Sequence, residues 1–178
     1  GTWQQAIITG ASGNVVIAPF QGFMVRRVGV GAGAYSFYQA ERSRSNTAQF
    51  YRTAAESLLE LTVDYNGIKD VTRVGFNSGA TNSFDDVYDA NKPNGSPGRP
   101  TLYTHLSANE WYAINTLPSL KQPTDVPMGL RPEMDGVMSI TAQGLSSFDP
   151  TSYIYIEDKK LNVWHNLRDG SYTFNTSK

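Results

Sequence analysis

The stretch "LLELTVDYNGIKDVTRVGF", Leu58 to Phe76, constrains the fold of this chain more than any other. Leu59, Leu61, Val63 and Tyr65 alternate with Glu60, Thr62 and Asp64, the two-residue period of a strand with one buried face. Asn66-Gly67 follows, the dipeptide that best tolerates the left-handed backbone of a tight hairpin turn. Beyond it, Thr72, Val74 and Phe76 again share one face. The segment therefore predicts a β-hairpin with Leu59, Leu61, Val63, Val74 and Phe76 turned toward a core.

Other segments read the same way. "FMVRRV", "YSFYQA", "EWYAINTL", "VMSITA", "SYIYIED", "NVWHNL" and "SYTFN" are strand candidates. Pro19, just before the first of them, belongs at an edge or a strand start because it cannot donate to a ladder. Turn dipeptides at Asp135-Gly136 and Asp169-Gly170 separate later strands. "NKPNGSPGRP", Asn91 to Pro100, reads as an exposed internal loop. "TAQFYRTAAESLLEL" contains good helix formers, but the alternation after Ser57 favours a strand. Charged residues are only 17% of the chain, while Gly, Tyr, Ser, Thr and Asn are plentiful, which suits short strands and many turns. The expectation is an all-β fold: a single antiparallel β-sandwich module over residues 1–178, jelly-roll-like, with at most a short helical turn.

Bulk chemistry excludes several roles. A net charge of -1 gives no general attraction to nucleic acid or anionic membrane, and "ERSRS" with Arg42 and Arg44 is too short a basic cluster to change that. The absence of cysteine removes disulfides and thiolate metal sites. No apolar run is long enough to span a bilayer as a helix. His105 and His165 lack the spacing of a zinc protease. "GASGN" lacks the pattern of a nucleophile elbow. "GVGAGA", Gly29 to Ala34, runs into the aromatic "YSFY" and not into a helix that could hold a pyrophosphate. No residue is assigned a catalytic or cofactor-binding role.

Two features are candidate sites. Trp3, Trp111, Trp164 or exposed tyrosines could stack on sugar rings; the ordinary alternative is that the tryptophans fill the core. The acidic stretch "ATNSFDDVYDANK", Ala80 to Lys92, offers Asp85, Asp86 and Asp89 as a cation site, with calcium the cofactor it would take. The aspartate spacing is not that of an EF-hand loop. A helical turn over Ser83 to Ala90 is the preferred reading. Asn82 or Ser83 would cap it, Phe84 and Tyr88 would pack it down, and the three aspartates would be surface groups favouring the helix dipole.

The ordered series "PFQGFMV", "ATNSFDDVYDANK", "AINTLP" and "IEDKKLNVWHNLRDGSYTF" resembles the β-rich region near the C-terminus of large secreted and surface proteins of the Bacteroidetes, just upstream of a type IX secretion sorting domain. The resemblance spans nearly the whole chain. It implies a secreted or cell-surface, extracytoplasmic β-sandwich without a catalytic motif, whose partners are neighbouring domains of the same precursor. It also implies a fragment of a longer protein, since the sorting domain is absent after Lys178 and the family has further sequence before Trp3.

Three functions follow as expectations. The first is a non-catalytic structural or adhesive module of an exported surface protein. The second is a carbohydrate-binding module, with polysaccharide or cell-surface components as partners and exposed aromatics on one face. The third is a glycosidase-type hydrolase, which requires two facing carboxylates in a cleft.

Overall fold

In the predicted hairpin, strands β1 (Ser57–Tyr65) and β2 (Ile68–Phe76) pair along their whole length, from Ser57 opposite Phe76 to Tyr65 opposite Ile68. Asn66 and Gly67 both take positive φ, 49° and 87°, which is the primed turn whose twist matches the strands it joins. Gly67 N–H donates to Asp64 Oδ1 at 2.8 Å. On the outer face Arg73 lies opposite Glu60 and binds its carboxylate at 2.6 Å.

The computed structural model describes residues 56–85, 87–93, 95–107 and 110–177. Trp3, Pro19, Asp86, Arg42, Arg44, the loop Gly29 to Ala34, and the strands expected at "FMVRRV" and "YSFYQA" lie outside the described residues. The remaining strands are β3 (Ala90–Asn91), β4 (Thr101–Ser107), β5 (Glu110–Leu117), β6 (Met128–Arg131), β7 (Gly136–Gln143), β8 (Tyr155–Asp158), β9 (Val163–Asn166) and β10 (Tyr172–Thr176). Short 3-10 turns occupy Leu145–Ser147 and Leu167–Asp169.

Among the described residues the fold is all-β, as expected. One sheet runs β10-β7-β1-β2-β5-β4-β6, with β3 added on β5, and curls into a half-barrel; β8 and β9 form a separate pair. The sheet departs from a purely antiparallel arrangement at one ladder: β2 and β5 are parallel, Arg73–Phe76 against Ile114–Leu117. A parallel partner cannot be reached by a tight turn. The chain from residue 77 to 109 makes the crossover. Tyr112 is paired on both sides, with Asn91 and Thr104, and Ile114 likewise with Arg73 and Ala90. One edge of β5 is therefore held by β3, while the other passes from β4 to β2.

The core lies on one face of this sheet. Leu59, Leu61, Val63, Val74 and Phe76 all point into it, joined by Leu102, Leu117, Met138, Ile140 and Tyr172. Thr72 shares that face and is fully buried; its hydroxyl donates to the Tyr112 and Ala113 carbonyls at 3.2 and 3.3 Å. The excursion between β7 and β10 adds Phe148, Ile156 and Leu167 from above. Phe148 meets Phe76 edge to face, with centroids 6.0 Å apart.

The acidic stretch closes a single turn, shorter than the helical turn expected over Ser83 to Ala90: among the described residues Tyr88 N–H and Asp89 N–H both donate to the Asp85 carbonyl, and β3 starts at Ala90. The caps are aspartates, not Asn82 or Ser83. Asp85 Oδ2 accepts from Thr81 N–H at 2.6 Å, and Asp89 Oδ2 accepts from Asp85 N–H at 2.8 Å. Phe84 packs as expected, stacked on Tyr112 with centroids 5.7 Å apart. Asp89 is a buried group, not a surface one, at 1% exposure. Its Oδ1 accepts from Thr116 N–H of β5 at 2.6 Å. Burial pushes its carboxyl above the ordinary 3.8, and the N–H groups of Asp85 and Thr116 offset part of that rise.

A second buried charge fastens the end of the crossover. The Lys92 side chain, 7% exposed, donates to both oxygens of Asp70 at 2.8 Å and to the Val71 carbonyl at 2.7 Å. Asp70 Oδ2 also accepts from Leu102 N–H at 2.7 Å, so β2, β4 and the residue just after β3 meet at one carboxylate.

Three outcomes follow. Phe76→Ala removes a ring from the centre of the core and is expected to cost roughly 3–5 kcal/mol in denaturant unfolding; a loss below about 1 kcal/mol would place Phe76 elsewhere. Asp89→Asn turns an N–H donor toward a backbone N–H and should cost about 1–3 kcal/mol. Because the folded-state pKa of Asp89 is raised, its contribution is full below 3.8 and declines as pH rises through the shifted value. The stability margin of wild type over Asp89→Asn should therefore shrink with rising pH; a widening margin contradicts the assignment. Melting curves in millimolar calcium and in chelator should coincide, since the Asp85 and Asp89 oxygens already accept N–H groups. A calcium-dependent rise abolished by Asp85→Ala and Asp89→Ala would instead mark a cation site.

Candidate binding face

The hairpin β8–β9 owes its position to alternation. Ile154 and Ile156 alternate with Tyr153, Tyr155 and Glu157, so a strand here can bury its isoleucines only by presenting the tyrosines outward. Ile156 is in the core, opposite His165, and Leu167 follows it in just after β9. The register places Tyr155 opposite Asn166 and Glu157 opposite Trp164 on the outward face.

That face is aromatic. Tyr153 is 74% exposed, Tyr155 48% and Trp164 61%. The Tyr153 and Tyr155 rings lie 5.8 Å apart at 18°, and Trp164 stands 6.1 Å from Tyr155 at 81°. Leu161 and Val163 near the hairpin tip are also exposed, Val163 opposite Asp158 on the other face of the pair. Lone exposed apolar residues are normal, but a contiguous set of large rings in water marks a contact surface.

The hairpin is braced on its inner side. Arg168 Nε donates to the Ser152 carbonyl and its Nη2 to the Asp149 carbonyl, each at 2.9 Å. Leu167 N–H donates to the Ile154 carbonyl. At the tip, Asp158 Oδ1 accepts from Lys160 N–H and Leu161 N–H at 2.9 Å, and Asp158 Oδ2 accepts from the Tyr172 hydroxyl at 2.8 Å. Burial acts to raise Asp158, but these hydrogen bonds outweigh it and hold the carboxyl below its ordinary value. Burial and the same Asp158 contact push the Tyr172 phenol up to about 12. Both groups therefore keep one protonation state across neutral pH, and the tip stays tied to β10.

The sequence candidates separate clearly. Trp164 is on the exposed aromatic face. Trp111 is half-buried, its ring stacked on Tyr103 at 4.1 Å with the Arg131 guanidinium 5.7 Å from its centre. Tyr103 in turn lies over Gly129, where any side chain would collide with the ring. Trp111 is thus engaged by its own sheet. Trp3 lies outside the described residues. His165 faces inward, and its Nε2 is 3.1 Å from the Gly170 carbonyl. His105 stands opposite Trp111, tilted toward Tyr103. Among the described residues no group of three or more acidic or histidine side chains is placed to hold a metal. Exposed tyrosines are sequence candidates without assigned positions, and Tyr153 and Tyr155 are such tyrosines. Their signal was available: aromatic residues on the polar phase of an alternating strand.

No curated protein and no solved structure matches the chain. Over residues 2–178 it matches the model of a family described as "Domain of unknown function (DUF8693)", and the chain belongs to that family.

Proposed function

We propose that the chain is a non-catalytic, extracytoplasmic module of an exported surface protein, with an adhesive role carried by glycan binding at the β8–β9 face. The observation that carries this reading is the exposure of Tyr153, Tyr155 and Trp164 together on one side of a braced hairpin. Aromatic faces lie well against the C–H faces of sugar rings, and Glu157 and Asn166 on the same side offer hydrogen bonds to hydroxyls. This joins the adhesive expectation to the carbohydrate-binding one. Export and the type IX route rest on the sequence resemblance to Bacteroidetes surface proteins. Neighbouring domains of the same precursor would then be the constant partners. A two-layer, jelly-roll-like sandwich is the fold that goes with this reading, supported by the one-sided core and by the hairpin packed over it.

Affinity electrophoresis in gels containing soluble polysaccharides tests the binding. Retardation of the wild-type chain by at least one polysaccharide, relieved in Trp164→Ala at unchanged melting temperature, is the expected result. Equal mobility of the two chains in every gel would refute the assignment of the face. Release of reducing sugar during the run would point to the hydrolase reading instead. Protease shaving of intact cells expressing the natural precursor tests the location: the module should be cleaved from outside.

A further inference from the structure

Resting on that reading, we infer that the aromatic face grips soluble, neutral glycan chains and does not lie flat on crystalline polysaccharide. A flat surface is matched by rings that share one plane. Here Tyr155 and Trp164 meet edge to face at 81°, so they form the two walls of a corner, with Tyr153 stacked against Tyr155 at 18°. A corner encloses two sides of a single sugar ring and cannot be laid against a sheet of chains.

The polar groups beside the corner set the charge of the ligand. Glu157 stands directly opposite Trp164 on the same face and is exposed. A carboxylate accepts from pairs of sugar hydroxyls and repels uronates or other acidic sugars. Asn166, opposite Tyr155, has its carbonyl oxygen taken by Arg168 N–H, which leaves the amide nitrogen as the donor to a ligand. The hairpin tip carries Glu157, Asp158, Lys159 and Lys160, two charges of each sign. That balance gives no attraction to an anionic bilayer, although Leu161 and Val163 are exposed there. Acceptor, donor and two aromatic walls around one corner fit a neutral sugar better than a lipid surface.

The experiment is calorimetric titration of the full chain with soluble neutral oligosaccharides of glucose, mannose and N-acetylglucosamine, and with oligogalacturonates. Sedimentation with microcrystalline cellulose, with α-chitin and with phosphatidylglycerol vesicles runs in parallel. Binding to a neutral soluble series is expected. Trp164→Ala and Tyr155→Ala should each weaken it roughly tenfold or more, as central aromatic anchors do. Glu157→Gln should weaken it less and should admit the oligogalacturonates. Binding to the crystalline polymers alone, or to oligogalacturonates with the wild-type chain, overturns this inference while leaving a glycan-binding face intact. Binding to no glycan overturns both readings. Vesicle binding in that case, lost in Leu161→Asp but kept in Tyr155→Ala, would reassign the hairpin to a lipid surface.

Discussion

Asp89 supplies to β5 an acceptor that no neighbouring strand provides. β3 covers that edge only at Tyr112 and Ile114, and two residues later the Thr116 N–H would be buried without a partner. A buried amide left unpaired costs more than a typical hydrogen bond returns. The chain resolves this by burying a carboxylate, whose second oxygen at the same time closes the turn through Asp85 N–H. The parallel β2–β5 ladder, and with it the continuity of the sheet from β10 to β6, is organised around a crossover that Asp89 anchors near its middle and Lys92 with Asp70 shortly after it. Both anchors are carboxylates that accept backbone N–H groups, so each joins chain segments distant in sequence.

How far the amino-acid order could be read varies with the range of the interactions involved. The β1–β2 hairpin was legible in full because pattern, turn and register are all local there. β7, β9 and β10 were legible as strands from their own alternation. β4 and β6 were not singled out as strands. In "TLYTHLS" Leu102 shares its buried face with Thr104, so that face is half polar, and "MGLR" is too short to show a period. The parallel ladder left no local trace at all, because it is chosen by the path of residues 77–109. Asp89 misled for a related reason. An aspartate in a polar run reads as a surface residue until the amides that it must satisfy are in place. At the candidate site, Trp164 was identifiable as an aromatic with two possible fates, and only the position of Ile156 in the core decided which one it took.

The aromatic face gains from the rigidity beneath it. Arg168, Ile156, Leu167 and the Asp158–Tyr172 contact hold the hairpin from the inner side, so the rings would meet a ligand without a further ordering cost. Preorganisation of this kind favours affinity gained from few contacts, which suits a small exposed face better than a deep cleft.

The direction of three adjacent strands has a mechanical consequence. β7 lies between β1 and β10 and is antiparallel to both, so β1 and β10 run the same way. Tension drawn backward from the start of β1 and forward from the end of β10 would slide these strands along their own axes. The hydrogen bonds of both ladders would then share the load at once instead of parting one pair at a time. Resistance to such shear is set by the unfolding barrier and not by equilibrium stability. A sheet built this way resists tension drawn between these two ends, while the β8–β9 hairpin stands outside the loaded ladders.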